Sequence, residues 1–360
     1  MKNIFALLFV AMAHFSLQAQ QKIENIIVIT TDGLRWQEVF GGMDTAIAHS
    51  KRFNQNDSAY LFKEYWAADI NQRRKKLMPF FWNTLAQKGQ IHGNRWKDNF
   101  VNVRNPYWFS YPGYSEILTG YADERINSNE HPPNPHTTVL EFLHNKPLYK
   151  NKVVAFGAWH AFDRIINEQR AGFPVYSAFD KVALKKLTPE QQTINRLLTD
   201  SYKPWHDHEC LDVFTHHGAM EYIKANQPKI VYIAYGETDE WAHAGRYRFY
   251  LDAARQVDKW IGEIWNYVQS HPAYKNKTAL LITTDHGRGD IDKTKWTDHG
   301  KDVPGADQIW FAVIGPGIQS SGEVTTSTQI YQEQFAKSIA HLLGIDFKPT
   351  HPVAERIKGL

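Results

Sequence analysis

The 360-residue chain carries 41 lysines plus arginines against 38 aspartates plus glutamates, so no strong net field argues for nucleic acid or an anionic membrane as its partner. Its lone cysteine, Cys210, excludes an internal disulfide, so the chain must rely on its core, on metals or on both. Histidines, 17 in number, and aromatic residues are the unusual features; aromatic-rich loops can wall a pocket, although most such residues serve the core.

At the amino terminus Lys2 precedes the apolar stretch Ile4 to Met12, and small or polar residues follow up to Ala19 and Gln20. This pattern predicts a secretory signal peptide over residues 1–20, and hence a secreted or periplasmic protein. The alternative, a membrane anchor, needs roughly 20 apolar residues, more than this stretch supplies. Residues 21–360 then read as one large α/β domain with insertions, without a repeat, a long charge block or a low-complexity linker.

Continuous apolar runs at 25–31, 153–158, 229–234, 279–284 and 309–314 predict parallel strands buried on both faces. Helical patterns over Pro79 to Gln87, Thr138 to His144, Leu211 to Ala225, Tyr247 to Val268 and Gln332 to Leu343 alternate with them. The expected fold is therefore α/β, a mainly parallel central sheet with helices on both faces. Residues 43–76 and 165–208 fit the alternation poorly and are predicted to cap or border a crevice. In such sheets ligands gather outside the carboxyl ends of the strands.

Chemistry-bearing residues fall at those ends. Asp32 follows the first run and is followed by Gly33; it is suited either to holding a cation or to capping the helix suggested by Leu34 to Phe40. Ser110 lies before Pro112, a good residue for the first turn of a helix, which puts its hydroxyl at an anion-favouring amino-terminal end; a plain serine N-cap is the alternative. Asp239 and His243 are four residues apart, on one face if helical. Asp285 and His286 end the strand 279–284, and His299 adds an imidazole. Each alone reads as a structural polar residue; together, oxygen and nitrogen donors without thiolates suit zinc or manganese.

The ordered set Thr31-Asp32-Gly33, Ser110-Tyr111-Pro112 before Leu118-Thr119-Gly120, Asp239-x-x-x-His243, Thr284-Asp285-His286-Gly287 and His299-Gly300 resembles the alkaline phosphatase superfamily, and within it the type I phosphodiesterase/nucleotide pyrophosphatase branch. The resemblance spans most of the chain after residue 20. It implies two divalent metal ions, zinc or alternatively manganese, one held by Asp239, His243 and His299. The other would be held by Asp32, Asp285 and His286, with Ser110 bridging to it as the nucleophile of a phosphoseryl mechanism. Two departures stand out. Many members of the branch have threonine at the place of Ser110 and asparagine at that of Gly113. The branch also resembles enzymes with an asparagine past the Thr-Gly segment that holds a phosphoryl oxygen, for which Asn127 and Asn129 are the candidates, a turn role being the alternative.

Substrate choice is predicted from the end of the strand 153–158. Some monoesterase relatives carry lysine and arginine there, where this chain has Trp159 and Ala161, with Arg164 nearby. A monoester carries one more negative charge than a diester, so this favours a small-molecule phosphodiester. A monoesterase, a sulfatase and a phosphomutase of the same superfamily are the alternatives, together with a non-catalytic metal-stabilised binding protein. The Cys/Ser-x-Pro-x-Arg pattern of sulfatases is absent around Ser110, and a signal peptide and a short insertion argue against a mutase. Oligomeric state is not readable.

Overall fold

Every residue of the strand Asn25–Thr31 is buried. Ile27 and Ile29 face one core, and Ile26 and Val28 the other, because successive side chains of a strand point to opposite faces. Covered on both sides, such a strand reads as an unbroken apolar run. The computed structural model describes residues 22–360, so the expected signal peptide over 1–20 lies outside the described residues.

In chain order the strands are β1 (Asn25–Thr31), β2 (Gly89–His92), β3 (Asn99–Asn102), β4 (Val153–Gly157), β5 (Val175–Ser177), β6 (Ile230–Tyr235), β7 (Thr278–Thr284), β8 (Gln308–Ile309), β9 (Phe311–Ile314), β10 (Gly322–Glu323) and β11 (Thr328–Tyr331). An eight-stranded sheet runs β10-β2-β9-β7-β1-β6-β4-β5, and β11-β3-β8 form a small second one. The large sheet is mostly parallel: β1 pairs in parallel with β6 and β7, and β4 with β5 and β6. Helices cover both of its faces, among them the 24-residue helix Tyr247–Ser270 on one side and Phe335–Leu342 on the other.

One expected strand direction is wrong. The run 309–314 was expected to be parallel, yet β9 pairs antiparallel with both β7 and β2. Between β7 and β9 the chain forms only the short 3-10 segment Lys293–Thr297 and the two-residue strand β8 of the small sheet. Without a crossover helix to carry it back across the sheet, it re-enters from the end at which β7 left, and so runs the other way. The excursion 43–76 folds into the short helices Thr45–His49, Lys51–Asn54, Ser58–Tyr65 and Ile70–Leu77, whereas 165–208, expected only to cap or border the crevice, contains besides Glu168–Ala171 and Pro189–Asp200 the strand β5, an edge strand of the central sheet paired with β4.

Register brings the strand ends together. Thr31 of β1 lies opposite Thr284 of β7 and Tyr235 of β6, and Gly157 of β4 lies opposite Ala234. The residues that follow these four strands, separated by more than 250 positions between Asp32 and Asp285, thus share one crevice.

Candidate metal centre

Asp32 leaves β1 with its backbone still tied to β6, Asp32 N–H donating to the Tyr235 carbonyl at 2.8 Å. The helix after it is Trp36–Gly41, whose cap is Arg35 without a side-chain bond, so the capping role for Asp32 is ruled out. Its carboxylate instead accepts from the Tyr114 hydroxyl at 2.9 Å and lies 3.2 Å from His286 Nε2. Asp285 accepts from Gly33 N–H at 3.0 Å and presents its other oxygen 3.5 Å from the same nitrogen. His286 Nδ1 sits 2.9 Å from the Gly287 carbonyl, a contact that places a proton on Nδ1 and makes Nε2, which faces the carboxylates, the nitrogen that a metal would take.

The second group is built on the short helix Glu237–His243. Four residues is one turn, so Asp239 and His243 share a face, with 3.0 Å between Asp239 Oδ2 and His243 Nε2. His299, from the loop beyond the 3-10 segment, brings its Nε2 to 3.0 Å from that of His243, and its ring stacks on His286 at 4.0 Å between centroids. Two clusters of donor atoms result, Asp32, Asp285 and His286 in one and Asp239, His243 and His299 in the other, the atoms of each within 4.8 Å of one another. The clusters adjoin, since His286 Nε2 is also 3.7 Å from Asp239 Oδ1.

Electrostatics explains why such clusters call for cations. Burial, reinforced by mutual repulsion, raises the Asp285 carboxyl well above its usual range and raises Asp32 as well. Asp32 Oδ1 and Asp285 Oδ2 are buried without a hydrogen-bond donor. Groups left in that state are costly unless something satisfies them. Burial opposes the charge on His286, but Asp285 and Asp32 outweigh it and hold the imidazole up at about 9. Carboxylates and imidazole lone pairs converging on one point, without thiolates, fit a divalent ion of the zinc or manganese type.

Ser110 Oγ lies 3.4 Å from His286 Nε2. The residue is the first of the helix Ser110–Thr119 rather than its cap, which is Phe109. Glu116 pins the preceding loop by accepting from the Arg104 and Asn105 N–H groups at 2.8 and 2.9 Å. Asn129 is brought to the same helix end, its Oδ1 accepting from Tyr111 N–H at 3.0 Å, whereas Asn127 is exposed and makes no side-chain contact there. Arg164 does not enter the crevice: its guanidinium donates to the carbonyls of His131 at 3.0 Å and Asn129 at 3.4 Å. Trp159 stands at the end of β4, where it forms a bridge with Glu209.

Three residues at the centre escaped the sequence reading. Arg288 is fully buried and donates to the Asp239 carboxylate and to the Thr297 carbonyl, tying the Asp239 helix to the His299 loop. Despite burial, it is Arg288 that holds the Asp239 carboxyl well below its ordinary value. Its proximity to Asp285-His286 in sequence was the one available signal. Glu209 is buried against Gly236, where a Cβ would lie 1.8 Å from its carboxylate, and burial with the nearby Glu240 pushes Glu209 well above the usual range. Glu209 stands in no motif, and Glu240 occupies only a variable position between Asp239 and His243.

The fold, a mostly parallel α/β sheet of this order with helices on both faces, is alkaline-phosphatase-like. Residues 202–346 match the family model described as Metalloenzyme superfamily. The solved structure of the alkaline phosphatase PafA is similar to this chain with a TM-score of 0.59 at 12% identity, covering 94% of this chain and 99% of that one. The lipoteichoic acid synthase LtaP from Listeria monocytogenes gives a TM-score of 0.56 at 12% identity, covering 91% of this chain and 73% of that one. A putative sulfatase from Bacteroides thetaiotaomicron gives 0.56 at 14%, covering 93% and 74%. Among curated proteins, GPI ethanolamine phosphate transferase 1 of Mus musculus is 30% identical over 119 residues, 32% of this chain and 12% of that protein's length. Among the described residues no helix is long and apolar enough to cross a membrane.

Proposed function

We propose that residues 21–360 form one exported, metal-dependent phosphoric ester hydrolase domain that acts on small phosphodiesters through a phosphoserine at Ser110. The observation that carries this reading is the meeting of two Asp/His clusters beside one buried hydroxyl, Ser110 Oγ, at a helix amino terminus. Divalent ions in the two clusters, zinc by donor type or else manganese, would supply the Lewis acidity that makes a serine oxygen nucleophilic and stabilises the leaving oxygen. Asp239, His243 and His299 would hold one, and Asp32, Asp285 and His286 the other.

Ser110 then forms the Oγ–P bond as the ester's alcohol departs, and water later breaks that bond to regenerate the hydroxyl. The amino-terminal end of its helix favours the charge on phosphorus oxygens. Asn129, fixed by its bond to Tyr111 N–H, has its amide NH2 left to donate to a phosphoryl oxygen. Preference for a diester is supported by the end of β4, where Trp159 stands and the guanidinium of Arg164 is engaged with the backbone carbonyls of His131 and Asn129. The Lys2, Ile4 to Met12 and Ala19 pattern supports export.

The test is a panel of an aryl phosphodiester, an aryl phosphomonoester and an aryl sulfate against zinc- and manganese-loaded protein. The diester should lead the monoester by at least about tenfold in kcat/KM, a difference of ~1.4 kcal/mol in transition-state binding. A monoester or sulfate preference would reverse the substrate assignment.

A further inference from the structure

The chain enters the Ser110 helix through a strained turn. Trp108, two residues before Ser110, has a φ of 53°, in the left-handed region where a Cβ crowds the backbone and a bulky side chain is an outlier. Among the described residues it is the bulkiest non-glycine residue with positive φ. Its indole is partly buried against the core that contains Tyr111 and Tyr114 of that helix. Strain of this kind persists only where the surroundings over-determine it, and it tends to gather at functional sites.

Two buried side chains supply that constraint. Asn105 Oδ1 accepts from Tyr107 N–H at 3.0 Å and from Trp108 N–H at 3.2 Å, closing the turn from inside. Asn105 is held in turn by Glu116, which stands six residues beyond Ser110 on the same helix: Glu116 Oε2 accepts from Asn105 N–H at 2.9 Å and from Asn105 Nδ2 at 2.8 Å. The other oxygen, Oε1, accepts from Arg104 N–H at 2.8 Å and from Glu333 N–H at 3.0 Å. Four N–H donors thus occupy the carboxylate, and the loop before the serine is clamped to the body of the serine's own helix. The usual device is missing, because Phe109, the cap of that helix, makes no side-chain bond. Asn129, through Tyr111 N–H, fixes the helix end from the other side.

We propose that Asn105 and Glu116 are positioning residues for Ser110: they hold Trp108 in the left-handed conformation that delivers the Ser110 hydroxyl to the metal clusters. This role rests on the reading of Ser110 as the nucleophile. Neither residue belongs to the two donor clusters, so each acts on the reaction only through the backbone of residues 107–110. Without the Asn105 amide, Trp108 relaxes to negative φ, the chain reverses elsewhere, and the serine oxygen leaves its place 3.4 Å from His286 Nε2. A displacement of about 1 Å at a reacting atom costs on the order of 100-fold in rate. Glycine at 108 would take positive φ without a clamp.

The test follows the first turnover of an aryl phosphodiester by the full metal-loaded protein, reading aryl alcohol and, after an acid quench, phosphate on the Ser110 peptide. Asn105→Ala should slow both by about 100-fold while metal content stays at the wild-type level and KM moves less than about threefold. Adding Trp108→Gly should recover about tenfold or more of that loss. The double variant also forfeits the packing of the indole, so in urea it should be no more stable than Asn105→Ala alone. A faster protein that is no more stable separates positioning from a purely structural role. Should Asn105→Ala not fold, Asn105→Ser, whose hydroxyl can still accept one of the two N–H groups, takes its place in the same comparison. A first turnover within about threefold of wild type, loss of metal in the single variant, or a double variant no faster than the single one would overturn the proposal while leaving Ser110 as nucleophile. Wild-type protein that releases alcohol without modifying Ser110 would instead overturn the reading of Ser110, and this role with it.

Discussion

Gly113 offers a sharp perturbation because it joins the serine helix to the metal-cluster strand. A Cβ there would lie 2.5 Å from the Asp285 carbonyl oxygen, against 3.4 Å for ordinary contact. The obstacle is backbone, and that carbonyl is itself fixed by Gln332 Nε2 at 2.8 Å, so no rotamer change relieves it. Gly113→Ala must push the Ser110 helix and the Asp285-His286 strand end apart by about 0.9 Å, the difference of those two distances. Misplacement of that size at a reacting centre costs on the order of 100-fold in rate, and overpacking costs about 1–3 kcal/mol of stability. A larger asparagine at this position should do worse. The assay is kcat/KM on an aryl phosphodiester, with urea unfolding of chelated protein to separate stability from metal binding. Activity within about twofold of wild type, together with unchanged stability, would refute the close contact on which the reasoning depends.

Other substitutions probe separate parts of the centre. Ser110→Ala should keep its metals, read by elemental analysis, while turnover falls by several orders of magnitude; Ser110→Thr should retain appreciable activity because the hydroxyl remains. His243→Ala or His299→Ala leaves the cluster beside Ser110 intact and should accumulate phosphoserine with a reactive aryl ester, whereas Asp32→Ala should lose that adduct; mass spectrometry after an acid quench distinguishes them, and the reverse pattern would exchange the two ligand sets. In metal-free protein His286 is held up at about 9, against burial, by Asp285 and Asp32. Its raised value means that the stability it contributes is complete below about pH 6.5 and lost as pH rises through about 9. The raised Asp32 and Asp285 act in the same direction. Chelated protein should therefore melt lower at pH 9 than at pH 7, while metal affinity, which requires a free Nε2, rises over that window; a flat melting profile would contradict this.

Residues whose placement is set by local geometry were legible. Asp32 and Asp285 follow strands that read as buried apolar runs, and Asp239 and His243 have the one-turn spacing of a helix face. Roles set by distant partners were not. Arg288 takes its meaning from Asp239, 49 positions away, and Glu209 from Gly236 and Glu240. Asn127 and Asn129 differ by two residues, and only the folded turn decides which reaches Tyr111. Arg164 was free to point inward in the sequence, but the carbonyls of Asn129 and His131 claim its guanidinium. The direction of β9 depends on what lies between strands: a loop returning to the same sheet end reverses a strand whose composition suits either direction.

The central claim is that Ser110 carries the phosphoryl group. Metal-loaded wild-type protein mixed with excess aryl phosphodiester, quenched in acid within the first turnover and digested, measures it directly. Phosphate or phosphoester on the peptide containing Ser110, rising with the initial release of the aryl alcohol, is the predicted result. Release of the alcohol with an unmodified Ser110 peptide, and a Ser110→Ala variant that turns over as wild type does, would contradict it.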